Sequence, residues 1–306
     1  MRTITAVVLS LIVAVVAGHA LIGGLGCGWD AVGVEGLRVE FPQIAGPTGD
    51  PIIELAVDLP DAPSAMMIYR VKQAEVTPDA AAELAKRLGL DGEPTLALGA
   101  YTLGDESRFL SVWQGTGGIS YNKGLLPFPE SPPNLPSEEE AKRIAVEFLD
   151  KMGLSLRGAA IRESLGTVKM RLAGPTGSET YVCQLVVMFD CEIDGVPLCG
   201  DRSAVGIGND GEVVHMVRVQ RDVEPYRQLP IKSATQALEE LREGKGTHNA
   251  GWDCERVVLD RVYLAYWMEG LSDPQEYVVP VYVFDGGSSS NGSGETQVFR
   301  GYVNAL

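Results

Sequence analysis

Ser137-Glu138-Glu139-Glu140-Ala141-Lys142-Arg143-Ile144-Ala145-Val146-Glu147-Phe148-Leu149-Asp150-Lys151-Met152-Gly153 is the stretch from which the fold can be read. Ser137 with Glu140 three residues on has the form of a capping box, which satisfies orphan backbone donors at a helix start. Ala141, Ile144, Ala145, Phe148, Leu149 and Met152 then recur at helical spacing, and Gly153 supplies a stop. Such a helix has one apolar stripe and one charged face, so it must lie on another layer. The acidic triplet sits in the first turn, where negative charge complements the helix dipole, and is read as structural.

Downstream the period changes. The runs Tyr181–Ile193, Val196–Ile207 and Glu212–Val219 are β-prone and are separated by the turn signals Asp194-Gly195 and Asn209-Asp210-Gly211. Connections that short join antiparallel strands. Upstream, Thr77-Pro78 opens a second helix with Ala81, Leu84, Ala85 and Leu88 inward and Gly89 at its end. Leu96–Leu103, Arg108–Gln114 and Ile119–Asn122 read as strands after it. Ser233 and Gln236 form another box before Ala237, Leu238 and Leu241, with Gly244 closing. Val257–Met268, Tyr277–Phe284 and Gln297–Val303 complete the strands, and Gly286–Gly294 reads as a long hairpin loop. The fold class is therefore α+β, antiparallel sheets each covered by one or two helices.

Phe41–Pro51 reads as a loop, and proline-rich Leu126–Pro136 as a domain junction, because proline fixes φ and lacks a backbone donor. Three parts are expected: residues 1–29 as signal peptide or membrane anchor, 30–130 as an N-terminal α+β domain, and 131–306 as a C-terminal one. A weak repeat runs through the middle. Thr77 to Tyr121 reads helix, Gly-Leu, strand, strand, glycine turn, strand, and Ser137 to Val219 repeats that order with an inserted hairpin.

This unit resembles the PepSY domain, an extracytoplasmic helix-plus-sheet module. The likeness rests on Glu138–Ala145 with Gly153-Leu154, and on Ser203–Val214. Residues 135–306 also resemble the YycH/YycI accessory proteins of a membrane sensor kinase, through Asp194-Gly195-Val196-Pro197, the pair around Asn209-Asp210-Gly211, the helix after Ser233, Val279–Phe284 and Tyr302–Leu306. The resemblance implies PepSY-like/YycI-like repeats and a regulatory role outside the membrane; it assigns no functional residue.

Arg2 precedes an apolar run, Ile4–Leu25, without a single Asp, Glu, Lys or Arg. About 20 such residues cross a bilayer core as a helix, and the pattern of basic start, apolar middle and small residues is an export signal. Three endings are compatible with it. Gly18-His19-Ala20 offers a cleavage point, Leu25-Gly26-Cys27 resembles a lipobox in which Cys27 would carry the lipid, and an uncleaved helix would anchor the chain. A lipobox usually places Leu where this chain has Gly24. Each ending puts the rest of the chain outside the cytoplasmic membrane, and lipid on Cys27 or an uncleaved helix would anchor it at the outer face.

Of 306 residues, 41 are acidic and 25 basic, a net charge of −16 that argues against nucleic acid as a partner, since phosphate binding needs clustered cations. Cys183, Cys191, Cys199 and Cys254 admit three disulfide connectivities if oxidised. Cys191 and Cys199 flank the Asp194-Gly195 turn, yet a two-residue turn sets Cys191 opposite Leu198. Free buried thiols are the alternative. No spacing fits zinc, and neither a metal nor a cofactor is expected.

Gly206-Ile207-Gly208-Asn209-Asp210-Gly211 matches a dinucleotide-binding string, but the β-prone run behind it makes these hairpin glycines. His215 alternates with Val213 and Val217 on a strand face and reads as a hydrogen-bonded sheet residue; His248 reads as a solvated loop residue near Asp253 and Cys254. Trp113, Trp252, Trp267, Tyr263, Tyr266 and Tyr282 read as core and sheet packing. No catalytic residue emerges. The expected function is a non-enzymatic, membrane-tethered binding or regulatory protein with a membrane-protein partner, a sensor kinase or an envelope protease. A secreted cell-wall or peptide hydrolase and a small-ligand-binding lipoprotein are the alternatives.

Overall fold

A computed structural model of the chain describes residues 51–105, 107–124, 132–174, 177–200, 202–251, 253–290 and 296–306, with the backbone of 29–34 and 37–42. The expected leader, Cys27 and Trp252 lie outside the described residues. Three α-helices occur among those described: α1 Pro78–Arg87, α2 Glu138–Met152 and α3 Ala234–Arg242. Each begins where a side-chain oxygen accepts from a backbone N–H. Thr77 takes that of Ala80 at 3.2 Å, Ser137 that of Glu140 at 3.3 Å and Ser233 that of Gln236 at 3.2 Å. The reciprocal half of the capping box is present only at Ser233, where Gln236 Oε1 accepts from the Ser233 N–H at 2.9 Å. At Ser137 the expected box is incomplete, because the Glu140 carboxylate turns to Arg143 instead.

The chain divides into two compact units. One comprises the residues up to Ile68 with Arg227–Ala265 and Val279–Leu306; the other comprises Tyr69–Tyr226 and Tyr266–Val278. The second unit, here the meander unit, is built on a nine-stranded sheet. Its order runs Gly166–Gly174, Gly177–Asp190, Ser203–Ile207, Val213–Arg218, Ile119–Lys123, Arg108–Trp113, Ala100–Gly104, Thr95–Ala97, with Ala160–Ile161 beside Gly177–Asp190. All these neighbours are antiparallel. The join lies between Ile119–Lys123 and Val213–Arg218, where Tyr121 faces Met216 and Asn122 faces His215. The domain junction expected near 130/131 thus falls inside this unit, since strands from either side of the proline tract share one ladder. Asn134, within that tract, donates its side-chain amide to Asp210 and its backbone N–H to Asn209 Oδ1, each at 2.8 Å.

One core fills this unit. Ala81, Leu84 and Ala85 of α1 and Ala141, Ala145, Leu149 and Met152 of α2 pack with Leu110, Tyr121, Val187, Val205, Ile207 and Met216. Fully burying each large apolar side chain contributes roughly 1.5–3 kcal/mol. The C-terminal turns meet where Arg87 Nη1 donates to the Met152 carbonyl at 2.9 Å.

The first unit pairs Pro280–Ser290 with Thr296–Asn304, and Thr296–Asn304 with Thr247–His248, all antiparallel. Ile52–Leu55 runs parallel to Arg256–Leu259. α3 covers it through Ala237, Leu238 and Leu241, packed on Val257, Leu259, Tyr282, Phe284, Phe299 and Val303.

Several expected elements differ; Tyr277–Phe284, for one, breaks at Val279 into Tyr277–Val278 and a strand that begins at Pro280. Leu96–Leu103 is two strands folded back at Leu98-Gly99, both at positive φ. Val196–Ile207 breaks into Val196–Gly200 and Ser203–Ile207, which belong to different sheets. The glycine-rich tract from Gly286 continues as strand to Ser290; a Cβ on Gly286 would lie 2.1 Å from the Val258 carbonyl, so glycine here admits close strand approach.

Candidate functional site

The meander unit holds a cluster of buried polar groups where its late segment, Tyr266–Val278, is fastened. Tyr266, Trp267 and Met268 end the strand Cys254–Met268 and run parallel to Leu198–Gly200. A loop follows, carrying Glu269, Asp273 and Gln275. Arg221, buried itself, directs Nη1 to Gln275 Oε1 at 3.2 Å and Nη2 to the carbonyls of Glu269, Gly270 and Asp273 at 3.3, 2.7 and 2.7 Å. Gln275 closes the loop's neck: Oε1 accepts from the Glu269 N–H at 3.1 Å, and Nε2 donates to the carbonyls of Trp267 and Tyr277 at 2.9 and 3.1 Å. Thr116 Oγ1 donates to the Leu271 carbonyl at 2.7 Å. The Asp-Pro of positions 273–274 keeps this segment out of regular structure, so side chains must satisfy its carbonyls.

Glu269 sits inside this knot with 6% of its surface exposed. Burial pushes its carboxyl up to about 7; the neighbouring Trp267 indole and Arg221 act the other way, and Asp273 adds to the rise. The cluster therefore holds a carboxyl that changes charge near neutrality, in a region otherwise organised by backbone carbonyls.

A second cluster pins the Asp194-Gly195 hairpin. Both turn residues have positive φ, 50° and 78°, as a two-residue type I′ turn requires. The Tyr69 hydroxyl donates to the Asp194 carboxylate, and the Tyr69 ring meets Tyr266 edge-on at 5.2 Å. Burial, then the Asp194 contact, holds the Tyr69 phenol well above its ordinary range. Nearby on the surface, the Arg70 guanidinium lies 4.3 Å over the Tyr226 ring, with Tyr277 beside both.

The residues singled out in the sequence are dispersed. Cys183, Cys191, Cys199 and Cys254 form no disulfide. The Leu198 N–H donates to the Cys191 carbonyl at 2.8 Å, the register the two-residue turn demands, so Cys191 faces Leu198 and not Cys199. Burial raises the thiols of Cys183, Cys191 and Cys254, which keeps them protonated and poor nucleophiles. His215 Nδ1 lies 2.7 Å from Asn122 Oδ1, its cross-strand neighbour. His248 corrects the expectation of a solvated loop: it is a buried strand residue opposite Gly301, its ring tilted against that of Phe299 with centroids 5.6 Å apart, and Nδ1 accepts from the Ala250 N–H at 3.3 Å. Gly206–Gly211 runs from the end of the strand Ser203–Ile207 through a turn at Asn209–Gly211, ahead of the strand Val213–Arg218. Tyr282, Tyr266 and Trp267 are buried, and the five described aromatic residues of the set are divided between the two units. Among the described residues no group of three or more His, Cys, Asp and Glu is placed to hold a metal ion.

Sequence reasoning missed Arg221, Glu269, Gln275 and Tyr69. Arg221 and Glu269 lie in separate segments with no shared motif; Asp273-Pro274 alone marked a loop that would need outside partners.

No family model and no curated protein matches the sequence. Among solved structures, the crystal structure at 1.45 Å resolution of an uncharacterized protein from Eubacterium rectale ATCC 33656 is similar over 92% of this chain and 91% of that one, with 14% identity and a TM-score of 0.47.

Proposed function

We propose that this chain is a non-enzymatic, membrane-tethered extracytoplasmic protein that binds and regulates a membrane protein, a sensor kinase or an envelope protease. The tether is the apolar run Ile4–Leu25, retained as a helix or replaced by lipid on Cys27. The PepSY-like and YycI-like reading draws support from topology. In the meander unit a helix precedes each four-strand meander, and the last strands of the two meanders pair antiparallel across the join.

The observation that carries the binding role is the hairpin Thr95–Gly104. Thr95–Ala97 is the terminal strand of the sheet, hydrogen-bonded on one side. At its turn Leu98 is 94% exposed and held at φ 50°, with Leu96 54% exposed beside it. A branched apolar side chain in the left-handed region costs about 1 kcal/mol or more, and Asn, Asp or Gly is the usual residue there. Strain and exposure together at one tip mark a contact residue. The partner segment adds as a strand against Thr95–Ala97 and covers Leu96 and Leu98.

A photo-crosslinking residue in place of Leu98, in cells, tests this. The expected product is one discrete adduct with a membrane protein that disappears when Leu96 is changed to Lys. The same probe at Val298, an exposed apolar residue of the other unit, gives no such adduct. Identical adducts from both positions, or none from Leu98, would remove the binding site from that hairpin.

A further inference from the structure

We propose that Glu269 is the proton-sensing residue of a latch that fastens segment 266–278 within the meander unit, shut when its carboxyl is neutral and loosened when it ionises. The inference is independent of the partner and of the chain's location. Its basis is the position of Glu269 in the hydrogen-bonded knot. The residue's N–H is held by Gln275, its carbonyl by Arg221, and its side chain is enclosed with them. When the segment opens and brings this carboxyl to water, the contacts that Gln275 and Arg221 make to the Glu269 backbone are broken. An ionised carboxylate in such a place is penalised by lost solvation, whereas the neutral acid is tolerated.

The charged groups facing the carboxyl are Asp273 and Arg221, with the Trp267 indole as its polar neighbour. Asp273 opposes ionisation and Arg221 favours it, so they act against each other and burial decides. The direction follows from linkage. In the opened segment the carboxyl returns to its ordinary range near 4.5, while in the closed one it lies at about 7. Opening thus becomes easier with rising pH between those values, by about tenfold per pH unit, and levels off above.

Amide hydrogen exchange of the full chain, corrected for the intrinsic pH dependence of exchange, reads this out over residues 266–278. Wild type is expected to show an opening constant that climbs between pH 5 and pH 7 and then flattens. Glu269→Gln removes the slope and leaves the segment protected at pH 8. Asp273→Asn keeps the slope and moves its upper end to lower pH. An opening constant in wild type that is equal at pH 5 and pH 8, or an unchanged slope in Glu269→Gln, overturns the latch. Should the Gln variant not fold, titration of the wild-type carboxyl by carbon-13 shift decides: a midpoint below pH 5 overturns it as well.

Discussion

The side-chain amide of Gln184 lies directly over Gly206 on the neighbouring strand, so that a Cβ built on Gly206 would stand 1.6 Å from Gln184 Nε2 and 3.1 Å from His215 Cβ. Gln184 is buried and cannot swing into solvent without leaving its site. A glycine that resembled part of a nucleotide loop is instead the seat of a polar side chain. Gly206→Ala should destabilise the chain by about 1–3 kcal/mol through overpacking. Urea unfolding should also show that adding Gln184→Ala recovers part of the loss, because the two residues are coupled. Additive effects would contradict the contact.

Arg221 satisfies three backbone carbonyls that have left regular structure. Arg221→Met keeps apolar volume and strands those acceptors. The expected cost is about 3–5 kcal/mol, by analogy with removing one member of a buried charged network. The chemical-denaturation midpoint checks it; a change under 1 kcal/mol would mean that water replaces the guanidinium without difficulty.

His248 is buried in the first unit, and that burial lowers its pKa from the ordinary 6.5. A base with a depressed folded value favours folding in its neutral form. The stability it contributes is present above pH 6.5 and is lost as pH falls from there toward the depressed value. His248→Leu should be less stable than wild type at pH 8, having lost the acceptor for Ala250, yet flatter in stability between pH 6.5 and 5. Thermal unfolding across that interval measures both, and a parallel decline in the two proteins would exclude His248 as the acid-sensitive group.

Leu98 ties stability to binding in opposite senses. Leu98→Asn places a residue suited to positive φ before Gly99, in the Asn-Gly pattern of a type I′ turn. Stability should rise by up to about 1 kcal/mol, while partner capture by the edge strand falls. A variant that is both stabilised and unimpaired in binding would leave the strained Leu without a role.

Much of this was legible from residue order. The three helices announced themselves because Thr77, Ser137 and Ser233 stand just before stripes of 3.6-residue period, and local signals of that kind act within one turn. The Asp194-Gly195 turn and the cross-register of Cys191 with Leu198 followed from the same local logic. The Leu98-Gly99 turn did not, because Leu has no preference for positive φ and the surrounding apolar run hid the reversal.

By itself, then, the sequence determined the helix limits, the antiparallel pairing of strands joined by short turns, and the turn role of Gly206–Gly211, all of which are decided by neighbours a few residues apart. Only the tertiary structure decided that Ile119–Lys123 and Val213–Arg218 lie side by side, carrying one sheet past the proline tract. It alone brought Arg221, Glu269 and Gln275 into one knot. The physical reason is that strand edges and buried polar groups accept any partner of matching geometry. Which distant segment supplies it is settled by the packing of the whole unit.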